Sequence, residues 1–309
     1  MDRRRFMIGF GLLGLGGCAT GRATAERRYP PVGRFVETEG LRVHYVDKGE
    51  GVPVALIHGA SGNLRDMTFS LVDRLAEAGL RPIAFDRPGH GYTDRPADRG
   101  WDPAVQARVL RGALAQIGVE RAVIAGHSWG GAAAMAWALD APETVIGAMS
   151  IAGAIYPWGG DAGFFYTVGA SPIWSGTART LARAFVDEDD PGAVLDRVFG
   201  PNEPPAGYGD YVGVGLALRP DTFRWNAEDL DNLHACVERM APGYPGLSMP
   251  LAAVHGTADE TVWASVHSEP LAKDAPQTDL ELLPGVGHMP HHASEDVVVE
   301  KIKALAAAA

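Results

Sequence analysis

Cysteine is scarce in this chain of 309 residues, and its scarcity limits how the fold can be held together. Only Cys18 and Cys236 are present. Cys18 ends an N-terminal segment with the layout of a removable export signal, so Cys236 is the single thiol expected in the folded part. One cysteine cannot form an internal disulfide, and the fold must therefore rest on the packing of its core.

The sequence also has fewer positive than negative charges and lacks long apolar runs. Lys and Arg number 27 against 38 Asp and Glu, a formal net charge of −11 that disfavours nucleic-acid binding. The N-terminal apolar stretch has 12 residues. As a helix it would span about 18 Å, short of the roughly 30 Å of a membrane's hydrocarbon core. Internal repeats and low-complexity tracts are absent, which excludes repeat architectures.

The remaining chain is long enough for one large domain with a real core. Hydrophobic residues make up 46% of the whole sequence. After an opening hairpin around Gly40, short apolar runs alternate with helical patterns, which predicts a mainly parallel sheet covered on both faces. Functional sites on such sheets lie at the carboxyl ends of the strands. The predicted strands are 53–57, 81–85, 121–125 and 144–151, and the predicted helices are 64–78, 103–117 and 129–140.

One strand-to-helix junction carries a serine between two glycines. The stretch AGHSWGGA (125–132) places Ser128 two residues from both Gly126 and Gly130. A buried strand precedes it and an alanine-rich helix follows, which is the setting of the G-x-S-x-G nucleophile elbow. The alternative is an ordinary tight turn whose serine caps the helix.

A serine hydroxyl is a weak nucleophile that needs a base, and the base needs an orienting acid. The stretch 249–262 predicts a strand followed by a loop that holds Asp259. The stretch 278–292 predicts another strand followed by a glycine-rich loop that holds His288. Both loops leave the same edge of the sheet as Ser128. The order Ser, Asp, His is the one found with such an elbow.

The chain resembles the α/β-hydrolase superfamily, in particular its capped esterase and epoxide-hydrolase-like branch. The resemblance implies a mainly parallel eight-stranded sheet with helices on both faces and a helical cap. It divides the chain into a core of 31–154 and 249–309 and a cap of 155–248. The matching segments are LIHGASGN (56–63), FDRPGHGYTDRP (85–96), GHSWGG (126–131), HGTADETV (255–262) and GVGHMPHH (285–292).

The resemblance also implies a role for each site residue. Ser128 is the nucleophile, His288 the general base and Asp259 the residue that orients His288. The backbone N–H groups of Ala60 and Trp129 form the oxyanion hole. No cofactor and no metal are implied. Epoxide hydrolases and haloalkane dehalogenases of this superfamily carry aspartate at the elbow, so the serine argues against both activities.

These features predict a serine hydrolase that cleaves small, apolar carboxylic esters through an acyl-enzyme. An amidase or aminopeptidase of the same fold is one alternative. A catalytically silent binding protein anchored in the cell envelope is another. The cap holds 13 of the chain's 25 aromatic residues. Most are interpreted as the cap's own core, and a few as the lining of an apolar substrate pocket.

Four further histidines lie near the predicted site. His127 and His255 are expected to point away from it if side chains alternate along their strands. His291 and His292 follow His288 closely, but their spacing is not that of a known zinc motif, and no carboxylate stands out as a partner. The sequence therefore predicts no metal site, with His291 and His292 solvated or at the pocket rim.

The N-terminus resembles a bacterial lipoprotein signal of the twin-arginine type. Three arginines precede the apolar stretch, and LGGC (15–18) ends it. Residues 1–17 are thus predicted to be removed, Cys18 to carry lipid, and 18–30 to form a polar tether. Ala19 is not the aspartate associated with inner-membrane retention. The expected location is the periplasmic side of the cell envelope, on the outer membrane. The alternative is an uncleaved N-terminal anchor.

Overall fold

The computed structural model describes residues 22–159, 164–172, 174–185 and 191–309. Its strands are β1 (Arg34–Thr38), β2 (Leu41–Asp47), β3 (Pro53–Ile57), β4 (Arg81–Phe85), β5 (Ala122–His127), β6 (Val145–Ile151), β7 (Leu251–Gly256) and β8 (Thr278–Leu283). A first helix, α1, spans 22–28. The others are α2 (Arg65–Thr68), α3 (Leu71–Glu77), α4 (Pro103–Gln116), α5 (Trp129–Asp140), α6 (Phe164–Ala170), α7 (Ser175–Phe185), α8 (Gly192–Phe199), α9 (Tyr208–Val212), α10 (Pro220–Met240), α11 (Ser268–Asp274), α12 (Pro290–Ala293) and α13 (Glu295–Ala306).

The eight strands form one sheet in the order β1-β2-β4-β3-β5-β6-β7-β8. The opening hairpin β1–β2 and the pair β2–β4 are antiparallel, and all the other neighbours are parallel. The predicted α/β-hydrolase fold is confirmed. Since β5 lies in the middle of the parallel part, Ser128 follows a strand whose six residues are all buried.

Each face of the sheet has its own apolar core. Along β3, Ala55 and Ile57 join the cluster beneath α4 and α5, while Val54 and Leu56 join the cluster beneath α3 and α13. This alternation is the period of two expected of a strand covered on both faces. Small alanines on the inner side of α5 let this helix pack closely on β5 and β6.

The predicted helix of 64–78 is broken into α2 and α3. Ser70 lies between them with φ −151° and ψ −42°, outside the helical region. Its hydroxyl donates a hydrogen bond to the carboxylate of Glu295 at 2.5 Å, which ties the break to the start of α13. Because Ser70 departs from helical geometry, α2 can turn away from α3 and carry Asp66 to the edge of the sheet where the predicted site lies.

Helices α6 to α10 lie between β6 and β7, in the segment predicted to be the cap. Four of its nine aromatic side chains that the structure describes are buried, among them Tyr244 and Phe199 at 0% and 1% exposure, and four more are partly buried. Trp174, by contrast, is 60% exposed. The side chains of 164–166 and 183–185, which include four of the cap's aromatic residues, lie outside what the structure describes.

The second half of the predicted tether is docked on the domain. Residues 22–28 are helical, and Tyr29 is 7% exposed in a small apolar cluster with Leu216. Arg219 forms an ion pair with Glu26 at 3.0 Å, and the Tyr92 hydroxyl donates to the Tyr29 carbonyl. The sequence pattern missed this because the apolar residues of the segment are few.

The predicted signal and Cys18 lie outside the described residues. Within the part of the chain that the structure covers, no helix combines the length and the apolar character needed to cross a bilayer.

Candidate active site

The turn after β5 has the geometry expected of a nucleophile elbow. Ser128 takes φ 53° and ψ −121°, a conformation that a residue with a side chain rarely adopts. The residues two positions before and after it must be glycines. A Cβ on Gly126 would lie 2.0 Å from the Gly130 carbonyl oxygen, and one on Gly130 would lie 2.4 Å from that of Ile57. The tight packing of strand against helix therefore fixes the serine in its strained position.

The structure brings Ser128, His288 and Asp259 together in one hydrogen-bonded line. Nδ1 of His288 lies 2.7 Å from a carboxylate oxygen of Asp259, and Nε2 lies 3.0 Å from the Ser128 hydroxyl. A carboxylate only accepts hydrogen bonds, so Nδ1 carries the ring proton and Nε2 presents its lone pair to the serine. Ser128 is partly exposed, whereas His288 and Asp259 are buried.

Asp259 is held as a carboxylate by several donors. The backbone N–H groups of Thr261 and Val262 donate to one oxygen at 2.8 and 2.9 Å. His255 approaches the other oxygen to 3.3 Å, beside His288. Burial favours the protonated acid, but the hydrogen bonds from His255 and His288 outweigh it and hold the pKa of Asp259 below its usual value. Asp259 is therefore ionised at neutral pH.

Two backbone N–H groups are free to bind an oxygen atom near Ser128. Trp129 is the first residue of α5, and its N–H has no place in the helical hydrogen-bond ladder. Neither this N–H nor that of Ala60 donates a hydrogen bond to any residue that the structure describes. The loop of Ala60 lies against the elbow, because a Cβ on Gly59 would come within 3.1 Å of the Ser128 Cβ.

The buried side chain of Arg87 contacts the residues next to both of these N–H groups. The Arg87 guanidinium stacks on the Trp129 ring, 4.0 Å from its centroid, and donates to the Gly59 carbonyl. It also donates to Asp229 of α10 at 2.8 Å, and Asp229 accepts from Arg95 at 2.6 Å. Arg87 and Asp229 are both fully buried. A helix of the inserted segment is thereby linked to the residues that carry the two N–H groups.

A second link from α10 reaches the loop itself. The side-chain oxygen of Asn226 accepts from the backbone N–H of Ser61 at 2.6 Å, and its amide donates to the Ser61 hydroxyl at 3.0 Å. Ser61 has φ 56°, in the left-handed region. His58 accepts from the Arg87 backbone N–H and donates to the Gly59 carbonyl. Burial lowers the pKa of His58 to about 4, so this ring is neutral.

Replacing Asp229 by alanine should strongly destabilise the protein. The change leaves Arg87 and Arg95 without their shared carboxylate in a buried position, and breaking a buried pair in this way costs about 3–5 kcal/mol. Glu228 provides the matched control, because it pairs with Arg95 and Arg224 on the same helix but is 22% exposed. Glu228→Ala should cost less than about 1 kcal/mol. Urea unfolding of both variants measures the difference, and equal losses would contradict the assignment.

Four histidine predictions are wrong. His127 and His255 do not point away from the site, because His127 donates to the His288 carbonyl at 2.9 Å and His255 contacts Asp259. His291 and His292 are not solvated, since their side chains are 0% and 1% exposed. Both hydrogen-bond to Asp66, which is the partner carboxylate that the sequence did not reveal.

The comparisons with known proteins define the class of this chain. A family model described as the alpha/beta hydrolase fold matches residues 52–294. The chain therefore belongs to the α/β-hydrolase family.

Individual relatives resemble it over shorter stretches. A 2-hydroxy-6-oxononadienedioate/2-hydroxy-6-oxononatrienedioate hydrolase of Paraburkholderia phymatum is 42% identical over 108 residues, which are 34% of this chain and 38% of the relative. Haloalkane dehalogenase 2 of Mycobacterium tuberculosis is 34% identical over 122 residues, which are 38% of this chain and 41% of the relative. In each case the match spans less than half of the relative's length.

A solved structure is similar over most of the chain. An esterase from Exiguobacterium antarcticum superposes with a TM-score of 0.71 at 20% identity, covering 89% of this chain and 99% of that chain. At this level of identity the likeness concerns the fold alone.

Proposed function

We propose that this protein is a serine hydrolase that cleaves carboxylic esters through an acyl-enzyme. The observation that carries the proposal is the line of hydrogen bonds from Asp259 through His288 to Ser128, in which the Nε2 lone pair of His288 faces the Ser128 hydroxyl. The N–H groups of Ala60 and Trp129 on the neighbouring loop and helix complete the set of groups that acyl transfer requires.

In the first half-reaction, the Ser128 oxygen attacks the ester carbonyl carbon while Nε2 of His288 takes the hydroxyl proton. The carbonyl oxygen becomes an oxyanion that accepts hydrogen bonds from the N–H groups of Ala60 and Trp129. The bond to the alkoxy oxygen then breaks, and His288 gives its proton to the departing alcohol. Asp259 stabilises the imidazolium in between without taking its proton.

The second half-reaction repeats these steps with water. His288 removes a proton from the water molecule as it attacks the acyl carbon, and the same two N–H groups hold the second oxyanion. Collapse breaks the bond to Ser128, whose oxygen recovers the proton from His288. The acid leaves, and the free enzyme is restored. Each group therefore acts twice in the cycle, as microscopic reversibility requires.

The identity of the nucleophile supports ester cleavage over the activity named for one relative. Haloalkane dehalogenase 2 of M. tuberculosis is similar over 122 residues. Carbon–halogen displacement in this superfamily uses an aspartate at the elbow, and Ser128 stands there in this chain. Displacement of a halide by the Ser128 oxygen would leave an alkyl ether on the serine, and an ether has no carbonyl carbon that water could attack to release the alcohol. A serine is suited to acyl transfer.

A fluorophosphonate probe should label the purified protein at Ser128. The expected result is one adduct per chain, found by mass spectrometry on the peptide that contains the elbow. Ser175→Ala, at the start of α7, is the control, because the hydroxyl bonded to Nε2 of His288 is that of Ser128. It should be labelled like the parent, and Ser128→Ala should not be labelled at all. Failure of the folded parent to react would overturn the proposal and favour a catalytically silent binding protein.

A substrate panel decides which acyl compounds are cleaved. p-Nitrophenyl esters of increasing chain length are compared with aminoacyl amides and with a 2-hydroxy-6-oxo dioate, the class named for the P. phymatum relative. Highest kcat/KM on apolar esters is expected. If amides are cleaved faster than every ester of the same acyl group, the protein is an amidase, and the ester assignment fails.

We also propose that the chain is exported and anchored by lipid on Cys18. The arginine run, the apolar stretch of 12 residues and the segment LGGC support this assignment. Because 22–28 is docked on the domain, only residues 19–21 would separate the lipid from it. Three residues span about 10 Å when fully extended. The anchored enzyme would therefore sit close to the envelope membrane, on its periplasmic side.

Mass spectrometry of the native N-terminus tests the anchor. A chain beginning at a diacylated or triacylated Cys18 is expected, and palmitate labelling should be lost in Cys18→Ser but kept in Cys236→Ser. Cys236 is the matched control because it is the only other cysteine. An unmodified chain beginning at Met1 in the cytoplasmic fraction would refute both export and lipidation.

A further inference from the structure

Four side chains outside the proposed chemistry converge beneath the elbow. Asp66 comes from α2, His127 from the end of β5, and His291 with His292 from α12. Nε2 of His292 lies 2.8 Å from one oxygen of Asp66, and Nε2 of His291 lies 3.2 Å from both. One ligand atom from each of Asp66, His291 and His292 can be chosen so that all three lie within 4.8 Å of one another.

The position of His127 is difficult to explain by hydrogen bonding alone. Its Nε2 donates to the backbone carbonyl of His288, so this nitrogen carries the proton of the buried, uncharged ring. Its Nδ1 must then be a lone pair. That lone pair lies 3.9 Å from a carboxylate oxygen of Asp66 and has no hydrogen-bond partner among the described residues. Two acceptors that face each other in a buried place need a hydrogen-bond donor or a cation between them.

The other two imidazoles are also incompletely satisfied. Nδ1 of His291 and Nδ1 of His292 are buried, and no described residue bonds to them. More than about nine in ten buried polar groups in proteins have a partner, so three such nitrogens in one cluster are unusual. Nε2 of each ring donates to the Asp66 carboxylate, so Nδ1 carries the lone pair. Transfer of the ring proton to Nδ1 would make Nε2, which already faces Asp66, available as a ligand.

We propose that Asp66, His127, His291 and His292 bind a divalent zinc ion. Three neutral imidazoles and one carboxylate are a donor set that suits Zn²⁺. In a tetrahedral site with bonds of about 2.0–2.1 Å, ligand atoms lie about 3.3 Å apart. Oxygens of Asp66 lie 2.8 Å from Nε2 of His292, 3.2 Å from Nε2 of His291 and 3.9 Å from Nδ1 of His127, and these distances bracket that value. Small side-chain movements would bring the four groups into coordination.

The surroundings are those of a closed structural site. Rings of Phe69, Phe199 and Tyr208 pack around His292 with centroids 5.9, 5.6 and 4.9 Å away. The Tyr208 hydroxyl donates to Asp66 at 2.8 Å and would orient the ligating carboxylate. Protein side chains supply all four ligands, as in structural rather than catalytic zinc sites.

The ion would join three parts of the chain that lie next to Ser128, His288 and the Ala60 loop. His127 precedes Ser128, His291 follows His288 by three residues, and Asp66 lies in α2, six residues after Ala60. None of the four ligands touches the Ser128 hydroxyl, so their role is to position the elbow and the His288 loop. The zinc site is independent of the proposed ester hydrolysis, and a chain that cleaves no ester could still bind the metal.

Metal content and metal-dependent stability of the untagged full chain are the first test. Protein stripped with EDTA, incubated with Zn²⁺ and desalted should retain one equivalent by mass spectrometry. Co²⁺ in its place should give the visible absorption of a tetrahedral complex. Thermal unfolding should shift upward by about 5 °C with Zn²⁺ at a hundredfold excess over Kd. Less than a tenth of an equivalent with an unchanged Tm would overturn the proposal and leave a bridging water as the explanation.

Ligand variants separate this site from adventitious binding. Asp66→Asn and His292→Gln should weaken Zn²⁺ affinity at least tenfold and lose the rise in Tm. His44→Gln is the matched control, because His44 is equally buried and bonds to Asp86 at 2.6 Å but lies outside the cluster. It should keep one equivalent and the full rise in Tm. Metal retained by both ligand variants at the parent's affinity would overturn the assignment, even if the variants are less stable.

Discussion

Ser128→Ala is expected to lower kcat on any ester that the parent hydrolyses by at least about 10⁴-fold. The alanine has no oxygen to form the acyl-enzyme, and His288 is left with no hydroxyl to deprotonate. Activity above the uncatalysed rate can come only from the two N–H groups and from substrate binding. KM should change little, because the hydroxyl is a small part of the surface that a bound ester would contact.

The same variant should fold like the parent. Alanine meets the same backbone strain as serine at φ 53°, and it removes no partner other than the His288 hydrogen bond. Circular dichroism and Tm are the controls, with Ser175→Ala measured beside it. A folded Ser128→Ala that retains more than a tenth of the parent's kcat would show that another group is the nucleophile.

The elbow and the triad could be predicted from sequence because their signals are local. Gly126, Ser128 and Gly130 are fixed by one turn, and the packing distances show why no larger residue fits at either glycine. Asp259 and His288 each follow a strand of the same sheet. Parallel strands end at one edge, so chain order alone placed the two residues beside the serine.

The buried polar residues beneath the site could not be found in this way. Asp66 and His291 are 225 residues apart, and neither stands in a recognisable motif. The expected alternation of side chains along a strand did not keep His127 and His255 away from the site, because the loops after β7 and β8 contact both rings. His127 bonds to the His288 carbonyl, and His255 contacts the Val262 carbonyl and Asp259. A usable signal existed, since His127 is the last residue of β5 and His255 the last but one of β7, at the same edge of the sheet as the serine.

The break between α2 and α3 and the docked segment 22–30 were missed for a related reason. Both depend on partners distant in sequence, Glu295 for Ser70 and Arg219 for Glu26. Helical periodicity over 64–78 continues through the break, and no local property marks Ser70 as non-helical. The conformation at such positions depends on hydrogen bonds between distant parts of the chain, and these become apparent only in the three-dimensional structure.

Asp259→Asn is the second variant expected to have a large effect, with kcat falling about 10⁴-fold and the fold retained. The asparagine amide can donate to Nδ1 of His288, which moves the ring proton to Nε2 and points it at the Ser128 hydroxyl. In that tautomer the ring cannot act as the base. His255 cannot correct the tautomer, because its own nitrogens are bonded to Ser268 and the Val262 carbonyl at 2.7 Å.

Glu260→Gln is the control for this variant, since it makes the same chemical change at the next residue, on an exposed side chain. It should leave kcat within about twofold of the parent, as expected for a surface substitution away from the site. Asp259→Asn should also react slowly with the fluorophosphonate probe, because serine activation requires the correct tautomer of His288. If the asparagine variant is folded and its kcat lies within tenfold of the parent's, Asp259 does not orient the base. The short contact between the two side chains would then have only a structural role.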